Sequence, residues 1–177
     1  MNSIRKHINF GLEVLKARLT HQNIPILVVL CVTNRCNLKC AYCYQKYSRG
    51  QNSEFTTEEI LSLIDELSAM GTKSISINGG EALLRDDLEI IIDKINEKNL
   101  LSQLATNGLL IKNKINLLKK VTSLSVSLDG NKQGNDLNRG QGSYDKIIEG
   151  LECLKANNIP FHTQTVITKN NLNAVDE

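Results

Sequence analysis

Apolar residues recur along the chain with two alternating periods, one helical and one extended. In residues 3–20, Ile4, Ile8, Leu12, Leu15 and Leu19 share one side of a helix, with Arg5, Lys6, Lys16 and Arg18 among the rest. This spacing predicts an amphipathic helix packed on the outside of the domain. Pro25 ends that pattern. Residues 26–32, Ile-Leu-Val-Val-Leu-Cys-Val, form a continuous apolar run of strand length. Such a run predicts a strand buried on both faces, as in a parallel sheet. Thr56-Thr57-Glu58-Glu59 has the form of a capping box. It opens a helix with Ile60, Leu63, Ile64 and Leu67 on one face, closed by Gly71. Further strands are predicted at residues 74–77, 102–105, 123–128 and 161–167. Leu88, Ile91, Ile92 and Ile95 mark a helix between them, and Ile111, Ile115 and Leu118 mark the next. After a polar loop, a further helix carries Ile147, Ile148, Leu151 and Leu154, with Ser143 as its expected cap and Pro160 beyond its end. Residues 171–177 read as the first turns of one more helix.

Strands alternating with helices imply a parallel sheet with right-handed crossovers. Five such units fall short of the eight in a closed barrel. The expected fold is therefore α/β, a partial (βα) TIM-type barrel. Its expected organisation is an N-terminal helix at residues 1–22 and a C-terminally incomplete barrel at 23–177, a fragment or a truncated product.

Composition narrows the function classes. The chain has 177 residues, 41% hydrophobic and 23% charged, which suits one globular domain with a buried core. A net charge of +2 is too small to point to nucleic acid. Five cysteines, three of them clustered, do not resemble a secreted disulfide framework. They favour a metal or catalytic role in a reducing cytoplasm. No run approaches the ~20 apolar residues of a membrane span, and no signal peptide is read. Contact of residues 3–20 with a membrane surface is the weaker reading of that helix.

The cluster Cys36-Asn37-Leu38-Lys39-Cys40-Ala41-Tyr42-Cys43 follows the first strand directly. Soft thiolates this close suit zinc, copper(I) or an iron–sulfur cluster. A structural zinc site and an ordinary four-iron cluster each need four protein ligands. A three-cysteine cluster leaves one iron open to a substrate or cofactor. Cys31 lies within the apolar strand and reads as a small core residue. Cys153 falls opposite the apolar stripe of its helix, so it is expected to be partly exposed. His7 and His21 have no partner pattern, and His162 reads as packed or hydrogen-bonded inside the sheet. The other polar signals share one address, the loops after successive strands, where such folds place function. Gly79-Gly80-Glu81 follows the second strand, Thr106-Asn107-Gly108 the third, and Ser127 with Asp129-Gly130 the fourth. The glycine pair reads as a flexible turn or as a close backbone approach to a ligand. Thr106-Asn107-Gly108 alone reads as a common turn.

Cys36-x-x-x-Cys40-x-Tyr42-Cys43 after a buried strand resembles the signature of the radical S-adenosylmethionine (radical SAM) superfamily. Asn78-Gly79-Gly80-Glu81 is similar to that family's Gly-Gly-Glu motif, and Thr106-Asn107-Gly108, Ser127-Leu128-Asp129-Gly130 and the loop from Asn135 to Gly140 also match. The resemblance covers about residues 24–175. It departs at Ala82, where proline is usual, at Asn78 for threonine and at Asn135 for histidine. It implies that Cys36, Cys40 and Cys43 hold three irons of a [4Fe–4S] cluster, with S-adenosylmethionine on the fourth. It also implies that Tyr42 lies near the adenine and that Gly79, Gly80 and Glu81 hold the methionine amino group. Ser127 and Asp129 are implied at the ribose or methionine part, and Arg139 at the carboxylate. The implied reaction is reductive cleavage to a 5′-deoxyadenosyl radical that abstracts hydrogen from a small-molecule or peptide substrate. An electron donor such as flavodoxin or ferredoxin is implied with it. The loops are most similar to the subgroup with a cysteine-rich, SPASM-like C-terminal extension. The competing reading is a non-catalytic iron–sulfur or metal-binding module, or an inactive fragment, with Cys31 as a candidate fourth ligand.

Overall fold

The computed structural model describes residues 3–20, 23–44 and 54–174. Among them is one sheet of five strands, β1 (Leu27–Cys31), β2 (Ser74–Asn78), β3 (Leu101–Thr106), β4 (Ser123–Ser127) and β5 (His162–Gln164). All neighbours pair in parallel and in chain order. The helices are α1 (Ser3–Thr20), α2 (Thr57–Ala69), α3 (Leu88–Glu97), α4 (Ile115–Leu118), α5 (Lys132–Arg139) and α6 (Ser143–Ala156). Parallel strands in sequential order, joined by helices, are the wall of a partial TIM-type barrel, as the alternation predicts.

Alternate strand positions build the core. Leu30, Ile75, Ile77, Leu104, Leu124 and Val126 join Ile60, Ile64, Ile91, Ile92, Ile95, Leu118 and Ile147 in one buried cluster. The intervening positions carry Ser76, Gln103, Ser125 and Gln164, so the opposite face of the sheet is mostly polar from β2 onwards, with Leu101 and Ala105 as its apolar members in β3. Period-2 alternation therefore separates a helix-covered face from an open one.

The two-sided burial expected for β1 does not occur. It is an edge strand, and Val29 on its open face is 56% exposed. Cys31 lies on that face and is exposed, not a core residue. An apolar run specifies a strand but not which faces are covered. The apolar side of α1 is likewise uncovered, with Ile8, Leu12, Leu15 and Leu19 all more than half exposed, so it does not pack as expected. The side chains of Ile4, Arg5, Lys6 and His7, and all of His21, lie outside the described residues.

The capping box opens α2 as expected, with Thr56 accepting from Glu59 N and Glu59 accepting from Thr56 N at 2.8 Å. Gly71 follows α2 with φ of 99°. The third predicted helix divides into a 3-10 turn at Ile111–Asn113 and the short α4. The polar loop expected before α6 is instead the helix α5. Asn131 caps it by accepting from Gly134 N, and Gly140, at φ of 118°, ends it. Its buried face is polar, made of Asn135, Asp136, Asn138 and Arg139, so no apolar period marks it. Ser143 does not cap α6 but is its first residue. Asp136 takes that role from α5, accepting from Gly142 N and Tyr144 N, each at 2.9 Å. The fifth strand is shorter than predicted, and residues 169–174 form turns rather than a helix. Residues 175–177 of that expected helix lie outside the described residues. His162 is exposed on the open face rather than packed.

Candidate functional site

The loop that carries the cysteines is gripped at its root. Val32 N continues the ladder to Asn78 O at 2.9 Å, and the buried Arg85 donates Nη1 to Val32 O at 2.7 Å. Gly80 N then donates to Thr33 O, and Glu81 N to Arg35 O, both at 2.8 Å. The two loops run so close that a Cβ on Gly79 would sit 2.6 Å from Thr33 O. One on Gly80 would sit 2.3 Å from Arg35 O. The close approach expected of this glycine pair is thus made to the cysteine loop itself. Glu54, just before α2, also reaches this root. Its Oε1 accepts from Thr33 Oγ1 at 2.6 Å and from Asn34 N at 2.9 Å.

Beyond the root, the loops after β1 to β5 enclose a cavity of about 270 Å³. Its lining includes all three clustered cysteines, Tyr42, Gly79, Gly80, Glu81, Asn107, Ser127 and Arg139. Cys31 and Asp129 are not in that lining. None of the five cysteines is in a disulfide. Among the described residues no three His, Cys, Asp or Glu side chains close on a single metal ion. Thiols spread around one cavity wall suit a polynuclear cluster, in which each sulfur binds a different iron. Leu38 N donates to Cys36 Sγ at 3.4 Å, the kind of bond that tunes a ligating sulfur. Burial pushes the Cys40 thiol up, and the Arg139 guanidinium opposes this.

Glu81 is 1% exposed. Its Oε1 accepts from Leu83 N at 3.1 Å and Thr106 Oγ1 at 2.8 Å, and its Oε2 accepts from Asn107 N at 2.7 Å. Burial raises its pKa, against the pull of these donors. Three of about four acceptor positions on the carboxylate are used, leaving one on Oε2 for a ligand donor. Asn107 Nδ2 donates to Asn37 Oδ1 at 2.7 Å, so the β3 loop also holds the cysteine loop. Thr106-Asn107-Gly108 is thus more than the turn its sequence suggests.

Asp129 is fully buried behind the cavity wall. Its Oδ2 accepts from Tyr42 Oη at 2.6 Å, and its Oδ1 accepts from Arg139 Nη2 and Val166 N, each at 3.0 Å. Arg139 Nε lies 2.9 Å from Oδ2 as an ion pair without hydrogen-bond alignment. The guanidinium carbon stands 5.7 Å from the centre of the Tyr42 ring. Burial and the bond to Asp129 push the Tyr42 hydroxyl well above its ordinary value. These three residues join the cysteine loop to the loop after β4 and to α5. A further tie runs from Ala41 N to Asn138 O at 2.8 Å. Tyr42, Ser127 and Arg139 face the cavity, whereas both oxygens of Asp129 are engaged within the protein.

The sequence pattern did not point to Glu54, Thr33 or Gln164. Gln164 lines the cavity by strand alternation, and the others act through partners about 20 residues apart.

The sequence profile described as the radical SAM superfamily matches residues 30–177. Fe-coproporphyrin III synthase of Methanosarcina barkeri is 36% identical over 151 residues, covering 82% of this chain and 38% of that protein. Mycofactocin maturase MftC of Mycolicibacterium smegmatis is 30% identical over 158 residues, covering 86% of this chain and 40% of that protein. The crystal structure of Streptococcus suis SuiB bound to precursor peptide SuiA superposes with a TM-score of 0.77 at 21% identity. The match covers 91% of this chain and 37% of SuiB. The chain thus spans less than half the length of these relatives.

Proposed function

From the membership of this chain in the radical SAM superfamily, we propose that it forms the cluster- and cofactor-binding core of a radical enzyme. The observation that carries this reading is the convergence of Cys36, Cys40 and Cys43 on the one cavity lined by the loops after β2, β3 and β4. The donor set fits: three thiols line the cavity and no fourth cysteine does. In this reading the three cysteines hold a [4Fe–4S] cluster, and S-adenosylmethionine occupies the adjoining space. When bound, these groups supply one-electron cleavage of a sulfonium C–S bond and hydrogen-atom abstraction from a substrate.

The chain's own residues position and shield. Tyr42 offers an aromatic wall for the adenine, held in orientation by Asp129 and Arg139. Gly79, Gly80 and the open acceptor on Glu81 Oε2 receive the methionine ammonium. Ser127 offers its hydroxyl to the ribose, and Arg139 faces the carboxylate. Asp129 contributes through Tyr42 and Arg139 rather than by contact. The substrate is a small molecule or a peptide, the reductant a donor such as flavodoxin or ferredoxin, and the compartment the cytoplasm. No helix among the described residues is long and apolar enough to cross a membrane. The test is anaerobic reconstitution with iron and sulfide, reduction, and addition of S-adenosylmethionine. 5′-Deoxyadenosine should form, and a reduced chain with an intact cluster that forms none would sink the reading.

A further inference from the structure

The segment bearing the three cysteines leaves the sheet at Thr33 and is met again, at its neck, by Glu54. One oxygen closes that neck. Glu54 Oε1 accepts from Thr33 Oγ1 at 2.6 Å and from Asn34 N at 2.9 Å, 21 and 20 residues away in the chain. The Thr33 hydroxyl also accepts from Arg35 N at 3.1 Å. Thr33 itself is 2% exposed, pressed against Gly79, and its carbonyl accepts from Gly80 N. Cys36 is the next residue after this bonded stretch, so the direction in which it leaves β1 is set there.

We infer that Glu54 is a positioning residue for the cluster: it closes the neck of the cysteine loop and holds its three thiols in reach of one another. The inference rests on the reading of Cys36, Cys40 and Cys43 as cluster ligands. Its physical basis is preorganisation. The stretch from Cys36 to Cys43 continues from the bonded residues Thr33 to Arg35, and a start held by hydrogen bonds restricts that stretch before the cluster arrives, so less ordering cost remains to be met on binding. The acceptor matters more than the charge. Both bonds fall on Oε1, whereas Arg35 Nε stands 3.8 Å from Oε2 with its side chain 56% exposed. Such an exposed pair contributes little. A glutamine at this position keeps the Oε1 acceptor, and an alanine does not.

The test loads the 177-residue chain anaerobically with iron and sulfide and follows iron release to a chelator, well below the melting temperature of each variant. Glu54→Ala should release iron roughly tenfold faster, as expected for losing two hydrogen bonds of ordinary neutral strength. Glu54→Gln should stay within about twofold of the parent, because its acceptor is retained. Thr33→Val, which keeps the side-chain shape but removes the hydroxyl donor, should also release faster, and it decides the matter if Glu54→Ala is insoluble. Parental release rates in Glu54→Ala, or in Thr33→Val where alanine cannot be measured, would overturn the inference. So would a Gln variant as leaky as the Ala variant, since a general structural defect would not be rescued by a neutral acceptor. Cys40→Ala separates the two levels. If it loads and holds iron like the parent, the cluster reading itself fails, whatever Glu54 does.

Discussion

Replacing Gly80 by alanine tests whether the glycine pair serves the fold or only a ligand. Gly80 is not among the glycines with positive φ, so alanine meets no backbone strain there. The conflict is steric. Its Cβ would lie 2.3 Å from Arg35 O, 2.7 Å from Arg35 C and 2.9 Å from Asn34 O, all backbone atoms that cannot rotate away. Relief requires the two loops to part by most of an ångström. Overpacking of this kind costs about 1–3 kcal/mol. Parting the loops also strains the Gly80 N–Thr33 O and Glu81 N–Arg35 O bonds, both 2.8 Å. Together these effects amount to about 2–6 kcal/mol, a large fraction of a domain's usual stability. The assay is urea unfolding of the metal-free chain under reducing conditions, with Gly11→Ala as control. Gly11 lies within α1 with nothing within 4 Å of its built Cβ, so alanine there should be neutral or stabilising by up to about 1 kcal/mol. If glycine were needed only for the ligand, metal-free Gly80→Ala would unfold like the parent. A loss below about 1 kcal/mol, with the control behaving as stated, would refute the packing argument.

Four further outcomes are expected. Asp129→Ala leaves the buried Arg139 without its counter-charge and Tyr42 without its acceptor, and should cost about 3–5 kcal/mol in the same urea assay. Cys31→Ala should leave iron bound per chain unchanged while Cys40→Ala abolishes it, measured by elemental analysis, because Cys40 lines the cavity and Cys31 does not. Asp136→Ala removes the acceptor that caps α6 and should cost about 1–2 kcal/mol, read from the unfolding midpoint. The Arg85 guanidinium holds the Asp87 carboxyl below its ordinary value of 3.8. A depressed folded value means that its stabilisation is complete above 3.8 and is lost as pH falls through the lower folded value. Melting temperature should therefore fall less steeply below that pH in Asp87→Asn than in the parent.

The sequence by itself determined the strand–helix alternation, the parallel order it implies, and the clustering of three cysteines after β1. These are local properties. Apolar periods of two and 3.6 residues are written into neighbouring positions, and the thiols lie within one short loop. It also located the rim, because glycine and polar motifs fall after successive strands. Tertiary structure alone decided what those motifs touch. Whether β1 is covered on one face or two depends on its neighbours, so Leu27, Val29 and Cys31 read as core although they are exposed. Helix α5 hid because its buried face is Asn135, Asp136 and Asn138, held by hydrogen bonds rather than apolar contact. Asn107 meets Asn37 across 70 residues, Tyr42 meets Asp129 across 87, and Glu54 meets Thr33 across 21. A hydrogen bond between distant residues leaves no period in the chain. The fold has to form before the glycine pair, the buried carboxylates and the neck of the cysteine loop acquire their partners.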